Sequence, residues 1–226
     1  MNKWENKEVA FFGKITAGIT HEMKNVLAII RESSGLMEDI MSISPEAVIS
    51  YQEKFQNSLV KIKNQIKRGV ELTNRLNKFA HSSDEALSKI DLHETIEQLI
   101  AISQRFARLK NVVLKIAPPN QSVQPTTLVT RPVQLQMALF AAIECCLNAM
   151  TAGGIINIGL DKSKEKYAVR VICEGDLPGK SEFVDNLSAF EKWPVLQKIA
   201  AFLEGSVELD EFAHGIVLFL PEQLRS

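Results

Sequence analysis

The sequence has few cysteines and no long apolar run, and both absences narrow the class of protein. Its three cysteines, Cys145, Cys146 and Cys173, show none of the spacings of zinc ligands or of a disulfide framework. No apolar stretch reaches the ~20 residues that cross a bilayer, and the N-terminus lacks a signal-peptide layout. We therefore expect a cytoplasmic protein without a metal centre or a membrane partner. The cysteines are expected to be buried apolar groups, with a redox role for the adjacent pair as the alternative.

The chain also lacks an excess of charge of either sign. Its 26 Lys and Arg residues nearly balance 27 Asp and Glu residues, which leaves a net charge of −1. A general electrostatic attraction to nucleic acid is therefore not expected. The 226 residues, of which 46% are hydrophobic, are enough for one large domain or two small ones.

The first third of the chain carries two apolar patterns with the spacing of helices. From about Val9 to Ile40, apolar residues recur at steps of three and four. Ser44 and Pro45 then suit the cap and first position of a second helix, whose pattern runs from Tyr51 to Phe79. Two such stripes joined by a short turn predict an antiparallel helical hairpin. Because a hairpin cannot bury both stripes alone, we expect a homodimer with a four-helix bundle.

After the polar segment "HSSDEALSK" the pattern changes to that of an α+β fold. Helices are predicted at "DLHETIEQLIAISQRFARL", "PVQLQMALFAAIECCLNAM" and "WPVLQKIAAFLEG", the last with Gly205 at its end. Strands are predicted at "NVVLKIAPP" and "TTLVT", with hairpins at "GIINIGL"–"KYAVRVIC" and "SVELDEFAHGIVLFLP". These elements indicate a mixed sheet covered by helices on one side, an α/β sandwich. The predicted domains are residues 1–86 and 87–226.

The segment "GITHEMKNVL" contains a histidine on the side of the predicted helix that points away from the apolar stripe. His21 lies two residues from both Ile19 and Met23, about 200° around the helix, so it is predicted to face solvent. A helical zinc motif needs a second histidine four residues on, and Asn25 stands there instead. The remaining interpretations are a surface histidine or a nucleophile. An exposed imidazole can attack phosphorus, with the adjacent Glu22 carboxylate holding the other ring N–H.

The segment "THEMKNVLAII" resembles the H-box of sensor histidine kinases. That pattern is His-Glu-x-x-Asn, usually followed by proline, and Val26 replaces the proline here. The resemblance covers residues from about 8 to 221. It implies a dimerisation and phosphotransfer hairpin followed by a domain of the Bergerat ATP-binding fold. It also implies that His21 accepts the phosphoryl group, that Glu22 is its acid/base neighbour, and that Asn25 positions the incoming group.

Compared with the same family, the residues that would contact nucleotide are altered. The family pattern resembles Leu-Ile-Glu-Asn-Ala-Leu-x-Ala, and "AIECCLNA" places Cys145 where the magnesium-binding asparagine belongs. If the match to the family pattern is shifted by three residues, Asn148 takes the place of the magnesium-binding asparagine. Glu174 or Asp176 would replace the aspartate that reads adenine. The chain has no recognisable ATP lid, because no glycine occurs between Gly179 and Gly205.

The leading hypothesis is a histidine phosphotransferase that resembles the dimeric phosphotransferases of bacterial sporulation and cell-cycle phosphorelays. His21 would exchange a phosphoryl group with a response-regulator receiver aspartate, and the receiver would supply its own magnesium. The docking surface would lie along Lys24, Asn25, Ala28 and Glu32. One alternative is a soluble kinase that binds Mg-ATP near Cys145, Asn148 and Glu174. The other is a non-enzymatic scaffold that binds receivers.

Overall fold

The computed structural model describes residues 5–43, 51–117, 126–151, 153–163 and 166–224. Contacts among these residues divide the chain into two compact units. One unit is Gly13–Ala80, and the other combines the described residues before Gly13 with those from His81 onward. No helix in these ranges is long and apolar enough to cross a membrane.

Two long helices build the unit Gly13–Ala80. Helix α1 is Glu5–Ile43, of which the part from Gly13 onward belongs to this unit, and helix α2 is Gln52–Ala80. The helices pack against each other, since Glu22 pairs with Arg68 and a Cβ on Gly69 would contact Val26. They run antiparallel, because the eight residues between Ile43 and Gln52 are too few to carry the chain back along the length of α1. The predicted helical hairpin is therefore confirmed. The predicted cap at Ser44 and Pro45 lies outside the described residues.

The buried positions of both helices repeat with a period of about 3.5 residues, which is the seam of a coiled coil. Buried residues of α1 along this line are Ile15, Ile19, Glu22, Val26, Ser33 and Ile40. Buried and half-buried residues of α2 at alternating steps of four and three are Ser58, Ile62, Gln65, Gly69, Leu72, Leu76 and Phe79. Because Gly69 has no side chain, the two backbones can approach closely beside Val26.

The other unit contains seven strands and four complete helices in its described part, besides the beginning of α1. The strands are β1 Ser88–Asp91, β2 Val112–Ile116, β3 Thr127–Thr130, β4 Gly154–Ser163, β5 Lys166–Glu174, β6 Ser206–Leu209 and β7 Gly215–Pro221. The helices are α3 Leu92–Arg108, α4 Pro132–Ala149, α5 Lys180–Ala189 and α6 Trp193–Phe202. A short 3-10 helix, His81–Ser83, precedes them.

The main sheet has five strands in the order β2-β4-β5-β7-β6. The pair β2–β4 is parallel, and the other pairs are antiparallel. The two predicted hairpins correspond to β4–β5, in which Ile158 faces Val171, and β6–β7, in which Val207 faces Leu218. The sequence prediction of a mixed sheet is therefore confirmed.

Helices cover one face of this sheet. Along β5, Tyr167, Val169, Val171 and Cys173 are buried, whereas Arg170 is half-buried on the other face. Nearly every side chain of α4 is buried, which explains why that helix is apolar on all sides. Helices α3, α4 and α6 all contact strands of the sheet. The architecture is therefore an α/β sandwich, as predicted.

Two elements of this unit were not predicted from the sequence. Strand β1 pairs with β3 in a separate two-stranded sheet, and Gln223 bridges to Val129 on the other edge of β3. Helix α5 occupies the segment after Gly179, with Phe183 and Leu187 almost fully buried. Neither segment has a long periodic pattern, so tertiary packing decides both.

The end of helix α6 differs in detail from the prediction. Glu204, and not the predicted Gly205, has the left-handed backbone conformation that ends the helix, with a φ of 53°. Gly205 is required for a different reason. A Cβ at this position would lie 2.1 Å from the carbonyl oxygen of Phe219 in β7. The glycine therefore permits the close approach of the chain to β7.

We expect Gly205→Ala to destabilise the α/β unit by about 1–3 kcal/mol, the usual cost of overpacking. A thermal unfolding scan would record this as a lower melting temperature. Gly13→Ala is the control, because Gly13 is exposed on α1 and a Cβ there would have no atom within 4 Å apart from its chain neighbours and its own helix backbone. Equal melting temperatures for the two variants would contradict the packing at Gly205.

Candidate functional site

His21 lies on the exposed face of α1. Its neighbours Ile19 and Glu22 are buried in the hairpin seam, whereas the histidine is exposed, as the helix geometry predicts. The Asn25 amide lies one turn further along, and its Nδ2 atom is 3.5 Å from Nδ1 of His21. This contact lies at the upper limit of a hydrogen bond. It leaves Nε2 as the ring nitrogen directed away from Asn25.

Glu22 is adjacent to His21 in sequence, but its carboxylate lies in the hairpin seam. The residue is 9% exposed, and its Oε2 atom accepts a hydrogen bond from Nη2 of Arg68 in α2. The Arg68 side chain is 41% exposed, so the pair spans the boundary between the seam and solvent. Sequence reasoning predicted Glu22 as the neighbour of the His21 ring and did not identify Arg68. Adjacent residues of a helix are rotated by 100°, so the side chains of His21 and Glu22 point in different directions, and the sequence already carried this signal.

The predicted partner-binding residues share the exposed surface of α1. Lys24, Ala28 and Glu32 are all exposed. Together with His21 and Asn25 they form a strip about three turns long, which we call the His21 face. Ala28 leaves room beside the histidine, and Lys24 supplies a positive charge near it. The structure therefore brings these five predicted residues onto one helix.

The residues predicted to contact nucleotide lie at one end of the α/β unit. Cys145 is fully buried in α4, while Asn148 is exposed and its Nδ2 atom lies 3.4 Å from the carbonyl oxygen of Asn186 in α5. Glu174 ends β5 and is exposed. Asp176 follows it, and its carbonyl oxygen accepts a 2.9 Å hydrogen bond from the Thr151 hydroxyl.

Helix α5 follows Gly179, where the family resemblance leads one to expect a glycine-rich lid. The helix packs on α4 and α6. The Phe183 ring meets the His214 ring edge-on at a centroid distance of 5.2 Å, and Leu187 is fully buried. Lys180 donates a hydrogen bond to the carbonyl oxygen of Glu211. These contacts make α5 part of the packed fold.

No three His, Cys, Asp or Glu side chains among the described residues lie close enough together to hold a metal ion. The cysteines also have the surroundings of core residues. Burial raises the pKa of the Cys145 thiol to about 12, and the nearby Glu144 charge adds to this effect while Lys192 opposes it. A side-chain hydrogen bond with Cys173, together with burial, raises the pKa of Cys146 well above its ordinary value, and the charge interactions with Cys173 and Cys145 add to this effect.

Comparison with known proteins gives structural matches only, since no protein-family model and no curated protein matches this chain. The nucleotide-free catalytic domain of the histidine kinase ThkA is 17% identical, with a TM-score of 0.47 over 62% of this chain and 97% of that one. Acinetobacter baumannii histidine kinase AdeS is 14% identical, with a TM-score of 0.45 over 89% and 98% of the two chains. ThkA in complex with the response regulator TrrA is 18% identical, with a TM-score of 0.45, covering 96% of this chain and 64% of that chain. Because these TM-scores are below 0.5, the description of the fold rests on this chain's own helices and strands.

We expect the three thiols to be unreactive toward a disulfide reagent in the folded protein. At pH 8, a pKa of about 12 leaves roughly one Cys145 in 10⁴ as the reactive thiolate. A colorimetric thiol assay should detect almost no reaction in buffer and all three thiols in guanidinium chloride. A Ser188→Cys variant is the positive control, because Ser188 is exposed on α5. Rapid reaction of native thiols would contradict their burial.

Proposed function

We propose that this protein is a histidine phosphotransferase of two-component signalling, in which His21 exchanges a phosphoryl group with the aspartate of a response-regulator receiver domain. The observation that carries the proposal is the exposure of His21 on helix α1, within the sequence pattern His-Glu-x-x-Asn. The buried seam of α1 determines which residues face solvent. The His21 face therefore offers an accessible imidazole to a partner domain.

The chemistry requires a neutral ring nitrogen with a free lone pair. With the ring proton on Nδ1, Nε2 attacks the phosphorus of the receiver's aspartyl phosphate. An N–P bond forms while the acyl P–O bond breaks, and the aspartate carboxylate leaves with the electron pair. The imidazole ring of the product carries a positive charge, which it loses by releasing its Nδ1 proton to water. In-line positioning and charge stabilisation supply most of the catalysis in such transfers, so the receiver's own magnesium suffices.

A homodimer is also part of the proposal. The apolar surface of the hairpin is wider than its seam: Leu27, Ile66 and Val70 are 60%, 53% and 55% exposed. Helix geometry places these three residues on the same side of the antiparallel pair, together with the half-buried Met23 and Ile30. The His21 face lies on the opposite side. A second copy can therefore cover the apolar side and leave His21 accessible.

We further propose that the chain needs no nucleotide of its own. Cys145 offers a buried thiol where the family resemblance calls for an oxygen ligand of magnesium, and magnesium prefers oxygen. Helix α5 fills the segment expected to be a mobile lid. A calorimetric titration with Mg-ATP tests this directly, because micromolar binding would favour the alternative of an autophosphorylating kinase.

Replacing His21 by alanine should abolish phosphoryl transfer. The test uses receiver domains of the same organism loaded from ³²P-labelled acetyl phosphate, with label on this chain as the readout. Because His21 is exposed, its loss should change the free energy of unfolding by less than about 0.5 kcal/mol. His81→Ala is the matched control, since His81 is an exposed histidine that pairs with Asp84 at 2.7 Å. Label on the H21A chain would refute the assignment.

Charge on the apolar side should separate the proposed dimer. Ile66→Glu combined with Val70→Glu places four carboxylates in an apolar contact between two copies, so the dissociation constant should rise at least 100-fold. Sedimentation equilibrium should give twice the chain mass for the wild type and the single chain mass for the variant. Val113→Glu is the control, because Val113 is 43% exposed on the edge strand β2. A wild-type monomer at micromolar concentration would contradict the dimer.

A further inference from the structure

The Glu22–Arg68 ion pair lies one residue from the candidate phosphoryl acceptor and connects the two helices of the hairpin. Glu22 occupies a seam position between Ile19 and Val26, where every other buried residue of α1 is uncharged. Its carboxylate is bound by the Arg68 guanidinium. A charged residue in a helical seam usually contributes little to stability, but it can fix the register of the two helices.

The packing beside this pair supports such a register function. Gly69 follows Arg68 directly, and a Cβ on it would lie 3.4 Å from Cγ1 of Val26. Within α2, the Thr73 hydroxyl donates a 2.9 Å hydrogen bond to the Gly69 carbonyl oxygen. The close approach at Gly69 brings Arg68 within reach of Glu22. A sliding of one helix by one turn would break the contact.

The His21 ring, in contrast, has its hydrogen-bonding contact with Asn25. Nδ1 of the ring and Nδ2 of the amide are 3.5 Å apart. The oxygen and nitrogen ends of an amide have nearly the same shape, so a half-turn of the Asn25 amide would bring its oxygen to the position of Nδ2. The oxygen would accept the Nδ1 proton and leave the Nε2 lone pair free. Contacts of this length in a free protein commonly shorten when the reacting partner binds.

We infer that Glu22 and Asn25 have functions that differ from those that the family pattern implies. Glu22 and Arg68 form a structural clamp that sets the rotation of α1, and the Glu22 carboxylate is not the acid/base group of the transfer. Asn25 is the positioning residue that selects the Nδ1-protonated tautomer of His21. This inference rests on the proposed phosphotransfer function.

A charge exchange across the hairpin tests the first part. Glu22→Arg and Arg68→Glu should each lower the melting temperature, because each places two like charges together in the seam. The double variant E22R/R68E should recover most of the loss, with the initial rate of labelling by a phosphorylated receiver within about threefold of the wild type. Arginine cannot act as a base at this position. A double variant that recovers its melting temperature but transfers more than tenfold slower would overturn the inference.

If the double variant does not fold, Glu22→Gln replaces it. Glutamine keeps the shape of Glu22 and an oxygen that accepts from Arg68, but it has no titratable group. Transfer within about threefold of the wild type supports the clamp. A loss of tenfold or more in a folded E22Q protein overturns it.

Ring nitrogen NMR tests the second part without requiring any transfer. With ¹⁵N-labelled histidine, Asn25→Ala should shift the His21 resonances toward the Nε2-protonated tautomer, and Asn25→Gln should restore part of the wild-type pattern. Glu22→Gln should leave these resonances unchanged. Unchanged resonances in N25A, or a shift in E22Q, would overturn the inference. A wild-type chain that accepts no label would refute the proposed phosphotransfer function alone. The spectra and melting temperatures would still test the functions inferred for Glu22 and Asn25.

Discussion

The rotation of helix α1 about its own axis is the constraint on which the proposed site depends. Six buried residues recur along one line of the helix and fix which side faces α2. Once that side is fixed, His21 must lie in solvent, since it is about 100° from Glu22 and about 200° from Ile19. The Glu22–Arg68 pair and the close approach at Gly69 strengthen this constraint at the level of the histidine. The exposure of His21 therefore follows from how the hairpin packs.

In the α/β unit, the residues that build the fold are largely different from those predicted to contact nucleotide. Its sheet order and helix-covered face depend on buried apolar residues, such as Val169 and Val171 in β5 and most of α4. The positions predicted for nucleotide contacts carry a buried thiol at Cys145 and exposed groups at Glu174 and Asp176. Helix α5 adds Phe183 and Leu187 to the core, which a flexible lid would not do. The residues that pack the core and the residues predicted to bind a ligand therefore overlap only at Cys145.

Much of the fold was predictable, because long elements repeat a local pattern many times. Helices α1 and α2 repeat their apolar spacing over several turns, and the β4–β5 and β6–β7 hairpins are bounded by turn residues. Strand β1 has only four residues, and its partner β3 lies about 40 positions away, so no local pattern reveals it. The pairing of Arg68 with Glu22 could not be predicted either, because it depends on the register between two helices. The prediction for the His21 face needed only the geometry of one helix, and the structure places those residues together.

The His21 imidazole is proposed to accept a phosphoryl group from an acyl phosphate on a partner domain. Phosphorus-31 NMR of the wild-type protein, recorded after incubation with a phosphorylated receiver and followed by peptide mapping, tests this step. We expect a phosphoramidate resonance that is stable in base, labile in acid and located on the peptide containing His21. Phosphate that appears only as the receiver's acyl phosphate and free inorganic phosphate, with every receiver tested, would contradict it.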